Sequence, residues 1–169
     1  MADFRLAYDW AMQWENPKGV YVPVRDKCPA GTAGECYALS GINSAVWPIT
    51  VAEISSAPEE QRPEMVENFY RENYWNKRFQ QFNVQMLANS VFDMKINAGP
   101  SVAVQLLQRM LGVTQDGLLG PVTVAAANRA NPKNVVADYA HVRCLYYSGI
   151  DGTPQDHESW TRRAMATCA

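Results

Sequence analysis

The stretch that most constrains the fold runs from residue 92 to residue 127, where apolar residues recur at helical spacing on either side of glycine turns. Residues three and four apart share one face of a helix, and Gly112 directly follows such a pattern, as glycine commonly does where a helix ends. Pro121 suits the first turn of the next helix. The pattern therefore predicts two helices, at about 101–111 and 121–129, joined by a tight turn.

Helical periodicity also dominates most of the remaining chain. Further helices are predicted at 3–15, from about Val51, from about Pro63, at 84–97, at 134–148 and around Trp160. Thr50 and Glu53 have the spacing of a capping box, which is why the second helix is expected to begin near Val51. Glycine and proline interrupt the stretch 16–48, and its runs VYVPV and CYAL suit brief strands or extended loops. The predicted fold class is mainly α, with a small β or loop lobe after the first helix.

Composition limits the kinds of function. The 169 residues are 47% hydrophobic, which is enough for the core of a single domain. A net charge of -2 argues against a general attraction to nucleic acid, and no apolar run approaches the ~20 residues that span a bilayer. The cysteines and histidines lack zinc-ligand spacing. We therefore predict no metal, no cofactor, no nucleic acid partner and no membrane insertion, and we expect a monomer.

The four cysteines leave two states open. Cys28 and Cys36 flank a glycine-rich stretch and could form a disulfide in an oxidising compartment, and Cys144 and Cys168 could tie the C-terminal tail to a helix. The alternative is that all four are buried free thiols in a reducing cytoplasm.

The turn segment LLQRMLGVTQDGLLGPVT resembles the signature LQ..LG...DG..G..T of peptidoglycan-binding modules. The preceding FDMKINAGP is similar to the FD..VN.GP run of the glycoside hydrolase 108 family of N-acetylmuramidases. Other landmarks of that family occur along the chain in the family's order. They are a glutamate ending the first helix, ALSGI, FYRENYW and the closing WTRR. The resemblance implies a lysozyme-like helical domain spanning 1–169, with 1–91 as its catalytic half and 92–169 as a peptidoglycan-binding-like half. This sequence departs from the family where Asn-Pro-Lys-Gly follows the glutamate.

Two carboxylates are the candidate catalytic groups. Hydrolysis of a glycosidic bond needs a carboxylic acid that stays protonated, and burial or the negative end of a helix dipole favours the protonated form. Glu15 ends the first helix after two tryptophans, and the resemblance implies that it is the general acid. Asp26, on the following loop, is the expected second carboxylate. Glu35 is an alternative, and so is a mechanism without a second carboxylate.

A glycan cleft combines aromatic rings with amide and hydroxyl groups. The residues expected there are Tyr21, Tyr37, Ser40, Tyr74, Trp75 and Asn97. For the last three, packing inside the protein is an equally good interpretation, and Phe69 and Tyr70 are expected in the core. Asp93 and Asp116 are expected to have structural roles.

Together these features predict an N-acetylmuramidase acting on the glycan strands of peptidoglycan, most simply a phage or prophage endolysin. The N-terminal stretch lacks the apolar run of a signal peptide. We therefore expect synthesis in the host cytoplasm, release by a holin or a secretion route, and action in the periplasm. The alternatives are a lytic transglycosylase with one catalytic glutamate and a non-catalytic peptidoglycan-binding protein.

Overall fold

The computed structural model describes residues 1–29 and 31–168. Its helices are α1 (Phe4–Glu15), α2 (Pro48–Ser56), α3 (Arg62–Tyr74), α4 (Gln85–Ala98), α5 (Pro100–Leu111), α6 (Pro121–Arg129), α7 (Val135–Ser148) and α8 (Pro154–Met165). Its strands are β1 (Val24–Asp26), β2 (Cys36–Leu39) and β3 (Ile42–Asn43), which form one antiparallel sheet in the order β1-β2-β3. The predicted fold class, mainly α with a small β lobe after the first helix, is confirmed. Within the described ranges, no helix has both the length and the apolar character that crossing a bilayer requires.

One local prediction was wrong. The helix expected from about Val51 begins at Pro48, and Trp47 rather than Thr50 occupies its N-cap position. Proline fits the first turn of a helix because its missing N–H would have no partner there, and this effect outweighs the capping-box spacing. Of the two runs expected to form brief strands or extended loops, CYAL is strand β2, and VYVPV is strand only at its last residue, Val24, because Pro23 cannot donate a ladder hydrogen bond.

The described chain divides into two compact units. One consists of residues 1–11 and 74–169, and the other of residues 12–73. The boundary predicted between the halves 1–91 and 92–169 falls inside helix α4 and does not coincide with either boundary of these units. The single-domain organisation stays a prediction.

In the larger unit, α4 packs against α5 and α7, and α7 packs against α8. Asp93 of α4 is fully buried and binds two arginines at once. Its carboxylate lies 2.6 Å from Nη2 of Arg143 in α7 and 2.8 Å from Nη2 of Arg163 in α8. Arg143 also donates to the Ser90 hydroxyl at 3.0 Å. The expected structural role of Asp93 is thus confirmed, because this ion cluster joins three helices.

The turn between α5 and α6 is built around one buried amide. Nε2 of Gln108 donates to Oδ1 of Asp116 at 2.6 Å and to the Thr123 hydroxyl at 3.0 Å, while Oε1 of Gln108 accepts from the Gly117 N–H at 2.9 Å. The hydrogen bond from Gln108 holds the pKa of Asp116 below its usual range. Four letters of the LQ..LG...DG..G..T pattern therefore belong to one network, and the structural role expected of Asp116 is confirmed.

The smaller unit contains the sheet, α2 and most of α3. Cys28 and Cys36 form a disulfide that closes the β1–β2 loop, as one of the two alternatives predicted. Cys144 and Cys168, which belong to the larger unit, are free thiols. The expected bridge between those two is therefore wrong, and so is the alternative in which all four cysteines are free.

Candidate active site

The β2–β3 hairpin ends in a strained two-residue turn that organises the candidate site. Leu39 pairs with Ile42, so only Ser40 and Gly41 form the loop, with φ angles of 49° and 82°. Two successive positive φ angles are the mark of a type I′ turn, which matches the twist of the flanking strands. A non-glycine residue rarely adopts such a φ. The conformation of Ser40 must therefore be held by its surroundings.

Ser40 is held on both sides. The Tyr70 hydroxyl donates to the Ser40 carbonyl at 2.8 Å, and Nδ2 of Asn16 donates to the Ser40 hydroxyl at 3.0 Å. Both Ser40 and Tyr70 are buried. The residue directly after α1 and the middle of α3 are thus tied to one turn of the sheet.

The carboxylate of Glu15 lies directly against this turn. A Cβ atom built on Gly41 would lie 2.3 Å from Oε2 of Glu15 and 2.7 Å from the Tyr70 hydroxyl oxygen. Real Cβ atoms essentially never approach another heavy atom so closely. Gly41 is therefore required twice, for its positive φ and for the room that it leaves to the Glu15 carboxylate.

Beside the turn is a pocket of about 240 Å³. It is lined by Glu15, Asn16, Pro17, Lys18, Val20, Val22, Val24 and Ser40. Glu15 is half-buried at the C-terminal end of α1. A half-buried carboxyl group in a pocket with apolar walls is suited to donating a proton to a bound ligand.

Asp26, the expected second carboxylate, lies elsewhere on the sheet. It ends β1 opposite Cys36, is exposed, and does not line the Glu15 pocket. Its Oδ2 accepts from Nδ2 of Asn43 at 2.8 Å, and its Oδ1 accepts from the Lys27 N–H at 2.8 Å. Its catalytic role stays a prediction.

Glu35, the alternative second carboxylate, is engaged with neighbouring side chains. It lies 3.0 Å from Nη2 of Arg25 and accepts a hydrogen bond of 2.8 Å from the Tyr37 hydroxyl. This hydrogen bond raises the pKa of Tyr37. The hydroxyl of Tyr37, an expected glycan ligand, is therefore directed to Glu35 on the exposed surface of the sheet.

Tyr21, another expected glycan ligand, does not line the pocket, whereas Val20 and Val22 on either side of it do. Its carbonyl accepts a hydrogen bond from Nη1 of Arg62 at 3.2 Å. Alternate residues of an extended segment point in opposite directions. Of the glycan ligands expected in this unit, only Ser40 lines the pocket with Glu15.

The other expected glycan ligands, Tyr74, Trp75 and Asn97, belong to the unit formed by 1–11 and 74–169. Trp75 is buried, and its ring stacks on Phe79 with a centroid distance of 4.5 Å. The core-packing interpretation of Trp75 is therefore correct. Tyr74 and Asn97 are half-buried, and their roles as glycan ligands stay predictions.

Sequence reasoning missed the residues that shape the pocket. The Ser-Gly pair between CYAL and Ile42 is a signal for a two-residue hairpin loop, and it would have located the turn. Tyr70 was expected in the core, where it does lie, but helical periodicity carries no information about the partner of its hydroxyl. In the segment Gly19–Val24, the sequence shows only that valines alternate with other residues, and it does not show that they line a pocket.

Comparisons with known proteins give two family matches and one similar fold. Residues 27–99 match the sequence model of glycosyl hydrolase 108, and residues 102–164 match that of the "Predicted Peptidoglycan domain". Glu15 and Asp26 precede the first matched segment. No curated protein matches the sequence significantly. The structure of SagA from Brucella abortus has a similar fold, with a TM-score of 0.75 and 24% identity, covering 98% of this chain and 91% of that chain.

The two family matches together identify both the reaction class and the substrate. Glycosyl hydrolase 108 is a family of glycoside hydrolases, and the second match adds a peptidoglycan domain. The protein is therefore a hydrolase of peptidoglycan. Over residues 27–99 the chain is similar to the glycosyl hydrolase 108 family.

Proposed function

We propose that the protein is an N-acetylmuramidase that hydrolyses the bond between N-acetylmuramic acid and N-acetylglucosamine, with Glu15 as the general acid. The observation that carries this proposal is the position of the Glu15 carboxylate against Gly41, in a pocket at the end of α1. The carboxyl group donates its proton to the glycosidic oxygen as the bond to the anomeric carbon breaks. Tyr70 and Asn16 support the turn on which the carboxylate rests.

Asp26 is the proposed second carboxylate, which activates water or stabilises the positive charge that develops on the sugar. Its hydrogen bond from Asn43 orients the carboxylate while leaving it exposed. Glu35 is the weaker candidate because Arg25 and Tyr37 already bind it.

A second candidate activity, lytic transglycosylase, is favoured by one observation. Among the residues that the structure describes, Glu15 is the only carboxylate that lines its pocket. A transglycosylase needs one glutamate, because the hydroxyl group at C6 of the muramic acid, rather than water, attacks the anomeric carbon. This reaction would leave 1,6-anhydro ends.

The biological role that we propose is that of a phage or prophage endolysin acting on the wall in the periplasm as a monomer. A holin or a dedicated secretion route would give it access to the wall. The same chemistry would serve a bacterial muramidase that opens the wall for a secreted effector. The support for either role is the peptidoglycan substrate that the family matches indicate.

Wall lysis by substituted proteins tests the catalytic assignment. Wild type, Glu15→Gln, Asp26→Asn and a control, Glu53→Gln on the exposed surface of α2, would be applied to bacteria with permeabilised outer membranes. We expect Glu15→Gln to abolish lysis, Asp26→Asn to reduce it strongly, and Glu53→Gln to match wild type. Lysis by a folded Glu15→Gln protein at the wild-type rate would refute the mechanism. Full lysis by Asp26→Asn would favour the transglycosylase or another second carboxylate.

A further inference from the structure

Three valines beside Glu15 form an unusual apolar surface. Val20, Val22 and Val24 are 48%, 39% and 57% exposed, and all three line the pocket that contains Glu15. They occupy alternate positions of one segment that bends at Val22, and all three branched apolar side chains face the same pocket. We call these three residues the valine ledge.

The segment that carries the ledge is fixed by its neighbours. Arg62 donates to the Tyr21 carbonyl at 3.2 Å and also to the carbonyls of Ala57 and Ser55, at 3.0 and 3.1 Å. The ring of Pro23 restricts its own φ angle within the segment. The valines are therefore presented by a backbone held in place, and their exposure is a property of the folded pocket.

A ligand that reaches Glu15 must lie over this ledge, because both belong to one pocket of about 240 Å³. The sugars of peptidoglycan are mostly hydroxyl-bearing, and their acetamido groups each carry a methyl group. A methyl group gains free energy when it leaves water for an apolar surface. A hydroxyl group without a partner on the protein loses free energy there.

We propose that the valine ledge binds the acetamido methyl group of the N-acetylhexosamine held beside Glu15, and so selects N-acetylated glycan. This inference rests on the proposed muramidase function, because it places the sugar at the cleaved bond. Burying one methyl group against an apolar surface increases the binding constant by about fourfold. Glycan with acetyl groups is therefore cleaved about fourfold more efficiently than glycan with formyl groups, which lack only the methyl.

The test uses peptide-free glycan strands that are enzymatically de-N-acetylated and then re-acylated with either acetyl or formyl groups. The measured quantity is the ratio of kcat/KM for acetyl over formyl strands. The variant Val22→Thr/Val24→Thr keeps the size and β-branching of both side chains while replacing a methyl by a hydroxyl on each. Val46→Thr is the matched control, since Val46 is 61% exposed in the same unit and does not line this pocket. Melting temperatures verify that all proteins are folded.

We expect a ratio of about four for wild type and Val46→Thr and a ratio near one for the double variant. A double variant that keeps the wild-type ratio would overturn the proposal, and so would one that loses activity equally on both strands. Binding of the Glu15→Gln protein to acetyl and formyl strands is also measured, with and without the valine substitutions. This measurement distinguishes a role of the valine ledge in binding from a role of Glu15 in catalysis. Binding that prefers acetyl strands through the valines, without any cleavage by wild type, would support the ledge and refute the muramidase function.

Discussion

The substitution Gly41→Ala tests the link between the hairpin turn and the Glu15 carboxylate. The added Cβ would lie 2.3 Å from Oε2 of Glu15, whereas ordinary contacts begin at 3.4 Å. The carboxylate must therefore move by about 1 Å, and a displacement of this size in a catalytic group costs on the order of 100-fold in rate. The positive φ of 82° adds about 1–2 kcal/mol of destabilisation for a residue with a Cβ.

The matched control is Gly31→Ala. Gly31 has a φ of 83°, but a Cβ built on it would meet nothing within 4 Å. Both substitutions therefore impose a similar backbone cost, and only Gly41→Ala displaces the carboxylate. The free energy of unfolding is measured with urea, and the activity is measured as the initial release of reducing ends from purified sacculi.

We expect backbone strain to cost both variants about 1–2 kcal/mol of stability. Gly41→Ala should lose a further ~1–3 kcal/mol because its Cβ also crowds the buried Tyr70 hydroxyl, and only Gly41→Ala should lose about 100-fold in activity. A folded Gly41→Ala protein as active as Gly31→Ala would refute the reasoning. It would show either that Glu15 tolerates displacement or that the turn does not position it.

Three further predictions concern stability. Reducing the Cys28–Cys36 disulfide should lower the free energy of unfolding by about 2.5 kcal/mol, as its loop of eight residues implies; an unchanged urea midpoint in reductant would contradict this. Asp93→Asn should lower the free energy of unfolding by about 3–5 kcal/mol, because it leaves two buried arginines without their carboxylate. The control Asp9→Asn removes one partner of an exposed ion pair and should cost under about 1 kcal/mol. Equal losses in the two variants would contradict this prediction. Burial lowers the pKa of Lys95 to about 8 in the folded protein. Above pH 8 the unfolded chain therefore binds more protons at this side chain than the folded protein does. The free energy of unfolding should rise by about 2 kcal/mol between pH 7.5 and 9.5. Lys95→Met should abolish that rise, and a slope that persists in this variant would assign it to other groups.

Much of the fold could be predicted because its determinants are local. Pro121 and Gly112 mark helix ends by their own backbone preferences, and α6 has the bounds predicted for it. The partners of Gln108 lie within 15 residues of it, so the turn that they form leaves a recognisable pattern in the sequence. Where two local signals competed, at Pro48 and Thr50, the choice between them was wrong.

The candidate site was predicted less completely because its contacts join distant parts of the chain. Tyr70 reaches a carbonyl 30 residues away, and Asn16 reaches a hydroxyl 24 residues away. Periodicity shows that such side chains are buried, but it does not show which polar groups they meet. The exposure of the valine ledge also depends on how the segment after α1 runs beside Glu15, which alternation alone does not determine.

The most direct test of the proposed function is the identity of the ends that the enzyme creates. Purified sacculi are digested to completion, treated with borohydride and analysed by mass spectrometry. Hydrolysis next to N-acetylmuramic acid predicts new muramic acid ends that borohydride reduces. Wild type and the Glu53→Gln control should form them, and Glu15→Gln should not. Ends in the 1,6-anhydro form, or reducible N-acetylglucosamine ends, would contradict the account.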